Sequence, residues 1–246
     1  MTILPLPSIT LEPRHHALFL DIDGTLLDFA STPELVVVPP KLVQNLMTIR
    51  TALGGALALI SGRTLENIDA LFASKFPAAG VHGAQWRLGD AVQYQPHLPQ
   101  SLIEDVFVSF QDMPALTIEE KECALAVHYR AIPAGRAAVL QRLTHIMAAH
   151  SDSGNAPLRI IDGYLVAEIT SSETDKGRAL RRYLEHAPFF GRCPIFLGDD
   201  TTDLSAIAAA QDLGGHGLRV GVAAGLPPNY VRAWIKRETT RLRKKT

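Results

Sequence analysis

Two groups of acids, each placed directly after a short apolar run, constrain this chain more than any other feature. Ala17-Leu18-Phe19-Leu20 leads into Asp21-Ile22-Asp23, and Pro194-Ile195-Phe196-Leu197-Gly198 leads into Asp199-Asp200, with Asp203 close behind. Short apolar runs of this kind read as buried strands of a parallel sheet whose C-terminal tips are polar. In such sheets ligands bind beyond the carboxyl ends of the strands. Asp21 and Asp23 are two positions apart, so they point to the same side. Converging carboxylates repel one another, and burying them uncompensated is expensive. A hard divalent cation with oxygen ligands resolves the conflict, and Mg²⁺ takes a few carboxylates together with water and phosphate.

The order of elements supports such a sheet. After a loose lead-in over 1–14, the strand at Ala17–Leu20 is followed by Pro39-Pro40 and a helical pattern of Leu42, Leu46, Ile49 and Leu53, stopped at Gly54-Gly55. Ala56–Ile60 is the next strand and ends at Ser61-Gly62-Arg63. Thr64 caps a helix reaching about Phe76, and Ala79–Val81 is a strand ending at His82-Gly83. Strands alternating with helices imply a Rossmann-like α/β core with right-handed crossovers. The rhythm changes over 84–170, which reads as an inserted α+β module. It holds a helix at Leu102–Phe110, a half-exposed antiparallel strand at Ala124–Arg130, a helix at Gly135–His150 and a loop at Ser151–Asn155. A hairpin over Arg159–Ile169 turns on Asp162-Gly163, a pair suited to a type I′ turn. The parallel rhythm returns with a helix at Lys176–Glu185, the strand before Asp199, a helix at Leu204–Ala210 and a strand at Leu218–Val222. A closing helix from Pro227 becomes basic, as expected of a solvated helix C-terminus. The expected division is 1–83 and 171–246 for the core and 84–170 for the insertion.

Composition removes several functions. The 246 residues are 47% hydrophobic and 20% charged, too apolar for disorder. No run approaches about 18 apolar residues, so no membrane partner is expected. A net charge of −1 lacks the basic face that nucleic acid requires, yet permits an anionic small molecule, which needs only a few local cations. Cys123 and Cys193 form no disulfide framework or zinc pattern and read as small buried residues. His15 and His16 read as solvated. The first sixteen residues carry three prolines and lack the design of a signal peptide, so a cytoplasmic location is expected. No G-x-x-x-x-G-K-[ST] loop is present, which disfavours an ATP-dependent kinase.

The motifs point further. Asp21-Ile22-Asp23-Gly24-Thr25-Leu26 resembles the opening D-x-D-G-T-[LV] motif of the haloacid-dehalogenase-like phosphatases. Ser61 resembles their second motif, Lys176 at a helix start their third, and Gly198-Asp199-Asp200-Thr201-Thr202-Asp203 their fourth, in order and with a cap-sized insertion between the second and third. Within that superfamily the chain is similar to the trehalose-6-phosphate phosphatases. The residues that carry this are Ser61-Gly62-Arg63, His82-Gly83-Ala84, Glu119-Glu120-Lys121 ahead of Val127-His128-Tyr129-Arg130, Glu168, and the GDDxTD form of the fourth motif. One departure is Leu204, where that family usually has Glu.

The resemblance implies a haloacid dehalogenase-type core, an inserted cap and a Mg²⁺-dependent phosphatase acting on a sugar phosphate. It implies Asp21 as the nucleophile that becomes an aspartyl-phosphate, and Asp23 as the acid that protonates the leaving oxygen and then activates water. It also implies Asp21, Asp23 through its backbone carbonyl, Asp199 and Asp203 as the metal set, with Asp200 a weaker member. Ser61 and Lys176 would hold phosphate oxygens, and Arg63, His82, Glu119, Lys121, Arg130 and Glu168 would recognise or orient sugar. His128 and Tyr129 would pack the cap sheet. A monomer is expected. Other readings are a phosphatase for sucrose 6-phosphate or mannosyl-3-phosphoglycerate, a phosphomannomutase-like phosphotransferase, and a sugar-phosphate sensor without catalysis. The presence of both Asp21 and Asp23 disfavours the sensor.

Overall fold

The computed structural model describes residues 6–30, 35–150, 157–163 and 165–244. The loop expected at Ser151–Asn155 lies outside the described residues. Contacts divide the chain into two units, Met1–Val92 with Asp175–Thr246, and Gln93–Thr174.

In the first unit the apolar runs form strands β1 (His16–Leu20), β2 (Leu57–Ile60) and β3 (Ala78–Gly80), with helices α1 (Leu42–Ala52) and α2 (Leu65–Phe72) between them. Every residue of β1 and β2 is buried, as expected of strands covered on both faces. Thr64 caps α2 by accepting a hydrogen bond from the Asn67 N–H at 3.1 Å. The helix stops at Phe72 rather than at Phe76, because Ala73 turns into the left-handed region with φ +46°. Phe72 and Phe76 then meet edge to face in the core.

The first unit also contains β4 (Gln85–Leu88) and half of β5 (Ala91–Tyr94). β4 pairs antiparallel with β3, so these strands extend the sheet of the first unit, and the division falls after Val92 rather than after Gly83. The returning chain adds α5 (Lys176–Leu184), β10 (Cys193–Gly198), α6 (Leu204–Asp212), β11 (His216–Arg219) and α7 (Pro228–Arg243). β11 ends at Arg219, short of the expected Val222, and Val222–Ala224 form a 3₁₀ turn. The seven-stranded order is β11-β10-β1-β2-β3-β4-β5, with all pairs from β11 to β3 parallel. Successive strands run outward from β1 in one direction, and the returning strands fill the other side. β1 is therefore the topological switch point, where open sheets place their ligands.

Both chain ends differ from expectation. The lead-in is anchored: Leu6, Ile9 and Leu11 are buried in the core. Glu238 on α7 is completely buried and accepts the Leu11 N–H at 2.8 Å. Arg237 and Arg241 pair with the same carboxylate at 3.2 and 2.8 Å, and Arg241 also donates to the Leu11 carbonyl. The Trp234 indole N–H donates to the Ile9 carbonyl at 3.0 Å. The basic helix end is thus partly a structural clasp, because one buried carboxylate needs cations and a backbone N–H around it. Glu238→Ala leaves that N–H without its acceptor and the two guanidiniums without their carboxylate partner. It should lower the free energy of unfolding by about 3 kcal/mol in urea melts at pH 7, and a loss under about 1 kcal/mol would contradict the clasp. His16 is buried as well, not solvated. Its Nδ1 accepts the Glu12 N–H at 2.9 Å, and burial, followed by the nearby His15, lowers its pKa to about 4.

The second unit is a four-stranded antiparallel sheet, β6 (Thr117–Glu120), β7 (Ala124–His128), β9 (Val166–Ser171) and β8 (Leu158–Gly163) in spatial order, with helices α3 (Gln100–Ser109) and α4 (Arg136–Ala149). Leu125, Val127, Ala167 and Ile169 pack with α3 and α4 in its core. β7 was expected to be half exposed, but it lies between β6 and β9, and Ala124–Val127 are buried. The hairpin register also differs. Gly163 pairs with Val166, so Asp162 and Gly163 end the strand and do not make the turn. The Asp162 carboxylate instead accepts from the Tyr129 hydroxyl at 3.3 Å and pairs with Arg136. Tyr129 is buried, as expected of a packing residue. No helix among the described residues is long and apolar enough to cross a membrane.

Candidate active site

Three adjacent parallel strands, β10, β1 and β2, end side by side and deliver Asp199, Asp21 and Ser61 to one edge of the sheet. The Asp21 N–H donates to the Leu197 carbonyl at 2.9 Å, which ties the tip of β1 to that of β10. Gly24 follows with φ +81° and allows the chain to turn sharply. A Cβ there would lie 2.1 Å from Asp199 Oδ2, so glycine is required by close approach as well as by backbone conformation.

Carboxylate oxygens of Asp21, Asp199 and Asp203 lie within 4.8 Å of one another. Asp203 is fully buried, and its Oδ2 accepts the Asp200 N–H at 3.0 Å while Asp200 accepts the Thr201 N–H at 2.6 Å. This reciprocal cap fixes Asp203 in the cluster. It gives Asp200 a capping task rather than a place among the converging oxygens. Lys176 enters from the first turn of α5, whose N-cap Asp175 accepts the Arg178 N–H at 2.8 Å. Its Nζ lies 2.7 Å from Asp21 Oδ1 and 2.6 Å from Asp203 Oδ1, with the lysine side chain only 3% exposed.

The electrostatics follow from this packing. Burial, reinforced by Asp203, holds the Asp21 carboxyl well above the usual range. Burial, with Asp203 again next, pushes Asp199 up to about 7. For Lys176 burial works against the charge, but Asp203 and Asp21 overcome it and raise its pKa. Three carboxyl groups facing one ammonium would carry an excess of two negative charges if all were ionised, which burial in one cluster opposes. A divalent cation held by oxygen donors fits that excess and that donor set.

Asp23 stands apart from the cluster. Both of its oxygens accept from Arg63, from Nε and from Nη2, each at 2.7 Å. Ser61 is buried, and its Oγ accepts the Arg63 N–H at 3.2 Å. His82 is half-buried, with its ring against Gly62. Of the residues expected at the site, Asp21, Asp23, Ser61, Arg63, His82, Lys176, Asp199 and Asp203 all belong to the first unit. Leu204, at the position of the departure, opens α6 and is exposed, so it offers no carboxylate.

Glu119, Lys121, Arg130 and Glu168 belong to the second unit. Glu119 and Glu168 are both register partners of Ala126, one from each side, and so share a sheet face. That face is opposite the one that Leu125 and Val127 present to α3 and α4. Lys121 Nζ pairs with Glu168 at 2.7 Å and His128 with Glu119 at 2.8 Å. The His128 pairing went unforeseen, since the sequence suggests only a packing role. Arg63's bond to Asp23 was missed as well, because the two lie 40 positions apart and nothing local couples them. Asp175 was legible in principle as an acid directly ahead of a helix.

The family model described as trehalose-phosphatase matches residues 19–224. The trehalose-6-phosphate phosphatase of Escherichia coli (strain K12) is 37% identical, with the match covering 94% of this chain and 89% of that one. The structure of the C. albicans trehalose-6-phosphate phosphatase C-terminal domain superposes with a TM-score of 0.77 at 19% identity and covers 93% of each chain. A phosphatase of the haloalkanoate (HAD) enzyme superfamily from Bacteroides thetaiotaomicron superposes with a TM-score of 0.58 at 15% identity, over 94% of this chain and 98% of that one. The two superpositions carry the fold.

Proposed function

The chain belongs to the trehalose-phosphatase family, and from that premise we infer that it hydrolyses trehalose 6-phosphate to trehalose and phosphate, the closing step of trehalose biosynthesis. The observation that carries the reading is the Lys176-centred cluster. A buried ammonium between Asp21 and Asp203, beside Asp199, gathers an anionic nucleophile, a cation for phosphate and a metal-fitting carboxylate set at one sheet edge.

In the reaction, a carboxylate oxygen of Asp21 attacks phosphorus. The bond from phosphorus to the sugar oxygen breaks, and protonated Asp23 gives its proton to that oxygen. The product is an aspartyl-phosphate on Asp21. Water then attacks phosphorus, and Asp23, now a carboxylate, takes the water proton. The acyl-phosphate bond breaks, and Asp21 recovers its electron pair. Lys176 keeps Asp21 in place and has a third N–H for a phosphate oxygen, and the Ser61 hydroxyl donates to another. Asp21, Asp199 and the Asp23 carbonyl, with Asp203 at one remove, would hold Mg²⁺, which would neutralise the charge that otherwise repels the Asp21 carboxylate from an anionic ester.

In this reading the inserted unit contributes Glu119, Lys121, Arg130 and Glu168 to the recognition of sugar hydroxyls, and His82 contributes from the first unit. The placement of Glu119 and Glu168 on the sheet face opposite the helices supports this reading.

A phosphate-release panel with Mg²⁺ tests the function. Trehalose 6-phosphate should exceed sucrose 6-phosphate, mannosyl-3-phosphoglycerate and simple hexose phosphates by about 100-fold in kcat/KM, the contrast expected when several hydroxyl contacts are lost. Faster turnover of any of these, or transfer of phosphate to a sugar instead of water, would refute it. Gly24→Ala should lower turnover by about 100-fold, because displacing Asp199 by an ångström misplaces the reacting groups. Retained turnover would mean that Asp199 has no place in the site.

A further inference from the structure

Resting on the reaction above, we propose that Arg63 is the positioning residue for Asp23 in the second half-reaction, the hydrolysis of the aspartyl-phosphate. The geometry is a fork against a fork: Nε to Oδ2 and Nη2 to Oδ1, both at 2.7 Å. A planar guanidinium in this arrangement fixes the plane of the carboxylate as well as its place, which a point charge cannot do. Each carboxylate oxygen has two acceptor sites. The fork occupies one on each oxygen, so one per oxygen remains for a water proton. The arrangement therefore suits the ionised, proton-accepting form of Asp23 that the water step needs.

The base of Arg63 is itself held rigidly. Its N–H donates to Ser61 Oγ at 3.2 Å, and its carbonyl accepts the Val81 N–H at 2.9 Å. The Ser61 carbonyl accepts the His82 N–H at 2.9 Å. Val81 and His82 carry φ of +48° and +54°, two successive non-glycine residues in the left-handed region, one of them β-branched. Such strain persists only where its surroundings over-determine it, and it gathers at functional sites. Gly62, directly ahead of Arg63, lies against the His82 ring, and a Cβ there would stand 2.8 Å from His82 Nε2. The strained turn thus grips both sides of the segment that carries the guanidinium. The arginine side chain is 14% exposed and that of Asp23 27%, so water reaches the carboxylate while its partner stays covered.

In the step concerned, a water oxygen bonds to phosphorus, and one water proton passes to an Asp23 oxygen. The bond from phosphorus to Asp21 breaks with its electron pair returning to Asp21. Inorganic phosphate leaves, and Asp23 is protonated for the next ester. Without Arg63 the carboxylate rotates away from the water, and the aspartyl-phosphate waits.

Acid-quench trapping of phosphoenzyme during turnover tests the proposal, with p-nitrophenyl phosphate and with trehalose 6-phosphate. In Arg63→Ala the steady-state fraction of phosphorylated enzyme should rise at least threefold over wild type and kcat should fall about 30-fold. KM should fall or stay constant, because a stalled intermediate does not weaken binding. Arg63→Lys should recover only part of the rate, since it keeps the charge without the fork. In an Asp23→Asn background, adding Arg63→Ala should change kcat by less than about twofold, because a residue acting through another has nothing left to position. A raised KM with no extra phosphoenzyme, or additive losses in the double variant, would overturn the proposal and return Arg63 to substrate binding. Failure of the wild type to form phosphoenzyme or release phosphate would count against the proposed function. Normal wild-type trapping with an unaffected Arg63→Ala would count against the positioning role alone.

Discussion

Asp21→Asn should reduce phosphate release from trehalose 6-phosphate by about 10⁴-fold or more, since removing the attacking oxygen leaves no route to the covalent intermediate. The change is nearly isosteric at a fully buried position, so the loss reflects chemistry. Asn keeps an oxygen that accepts from Lys176, which lies 2.7 Å from Asp21 Oδ1. It also removes one of the three carboxylates that crowd each other within 4.8 Å. Stability should accordingly change by less than about 2 kcal/mol, a buried charge-assisted hydrogen bond being exchanged for relief of like-charge repulsion. Phosphate release, acid-quench trapping and urea melts measure these together. Residual turnover above about 1% of wild type in a folded variant would remove Asp21 from the nucleophile's role.

Lys176→Met has the largest expected effect on stability. The lysine is the cation between Asp21 and Asp203, and both contacts are buried. Removing one partner of a buried ion pair leaves uncompensated charge and costs about 3–5 kcal/mol. Methionine fills much of the same volume, so the loss is electrostatic rather than a cavity effect. Mg²⁺ should restore more stability to the variant than to wild type, because a bound cation offsets the uncompensated excess of carboxylates and ligand binding stabilises the folded state. Turnover should still fall by about 100-fold or more with Mg²⁺ present, since the phosphate loses a charged donor. Thermal melts with and without Mg²⁺ separate the two effects. An unchanged melting temperature would show that the cluster does not depend on the lysine.

Much of the site is legible in the sequence because local rules place it. Asp21, Ser61 and Asp199 follow apolar runs, and the end of a buried parallel strand is where polar groups meet the ligand face. Lys176 follows an acid that caps its helix, so its place in the first turn can be read from neighbours. Local signals also mislead where tertiary pairing competes. Asp162-Gly163 is a strong turn dipeptide, yet the ladder runs on to Gly163 because Tyr129 and Arg136 take the Asp162 carboxylate. Three prolines and little periodicity make the lead-in look loose, although Leu6, Ile9 and Leu11 are core residues.

The sequence by itself determined the class of sheet, which strand tips carry acids, the insertion between two halves of a core and the kind of chemistry that follows. Those properties depend on residue type and short spacing, and a strand or helix start is governed by its neighbours. Only the tertiary structure decided the partners. Lys176 joins Asp21 across 155 positions, Arg63 holds Asp23 across 40, and Glu238 closes on Leu11 across 227. An ion pair or a buried hydrogen bond depends on a few ångströms of separation in space. Sheet order and crossover set that separation, and no local pattern in the chain encodes it.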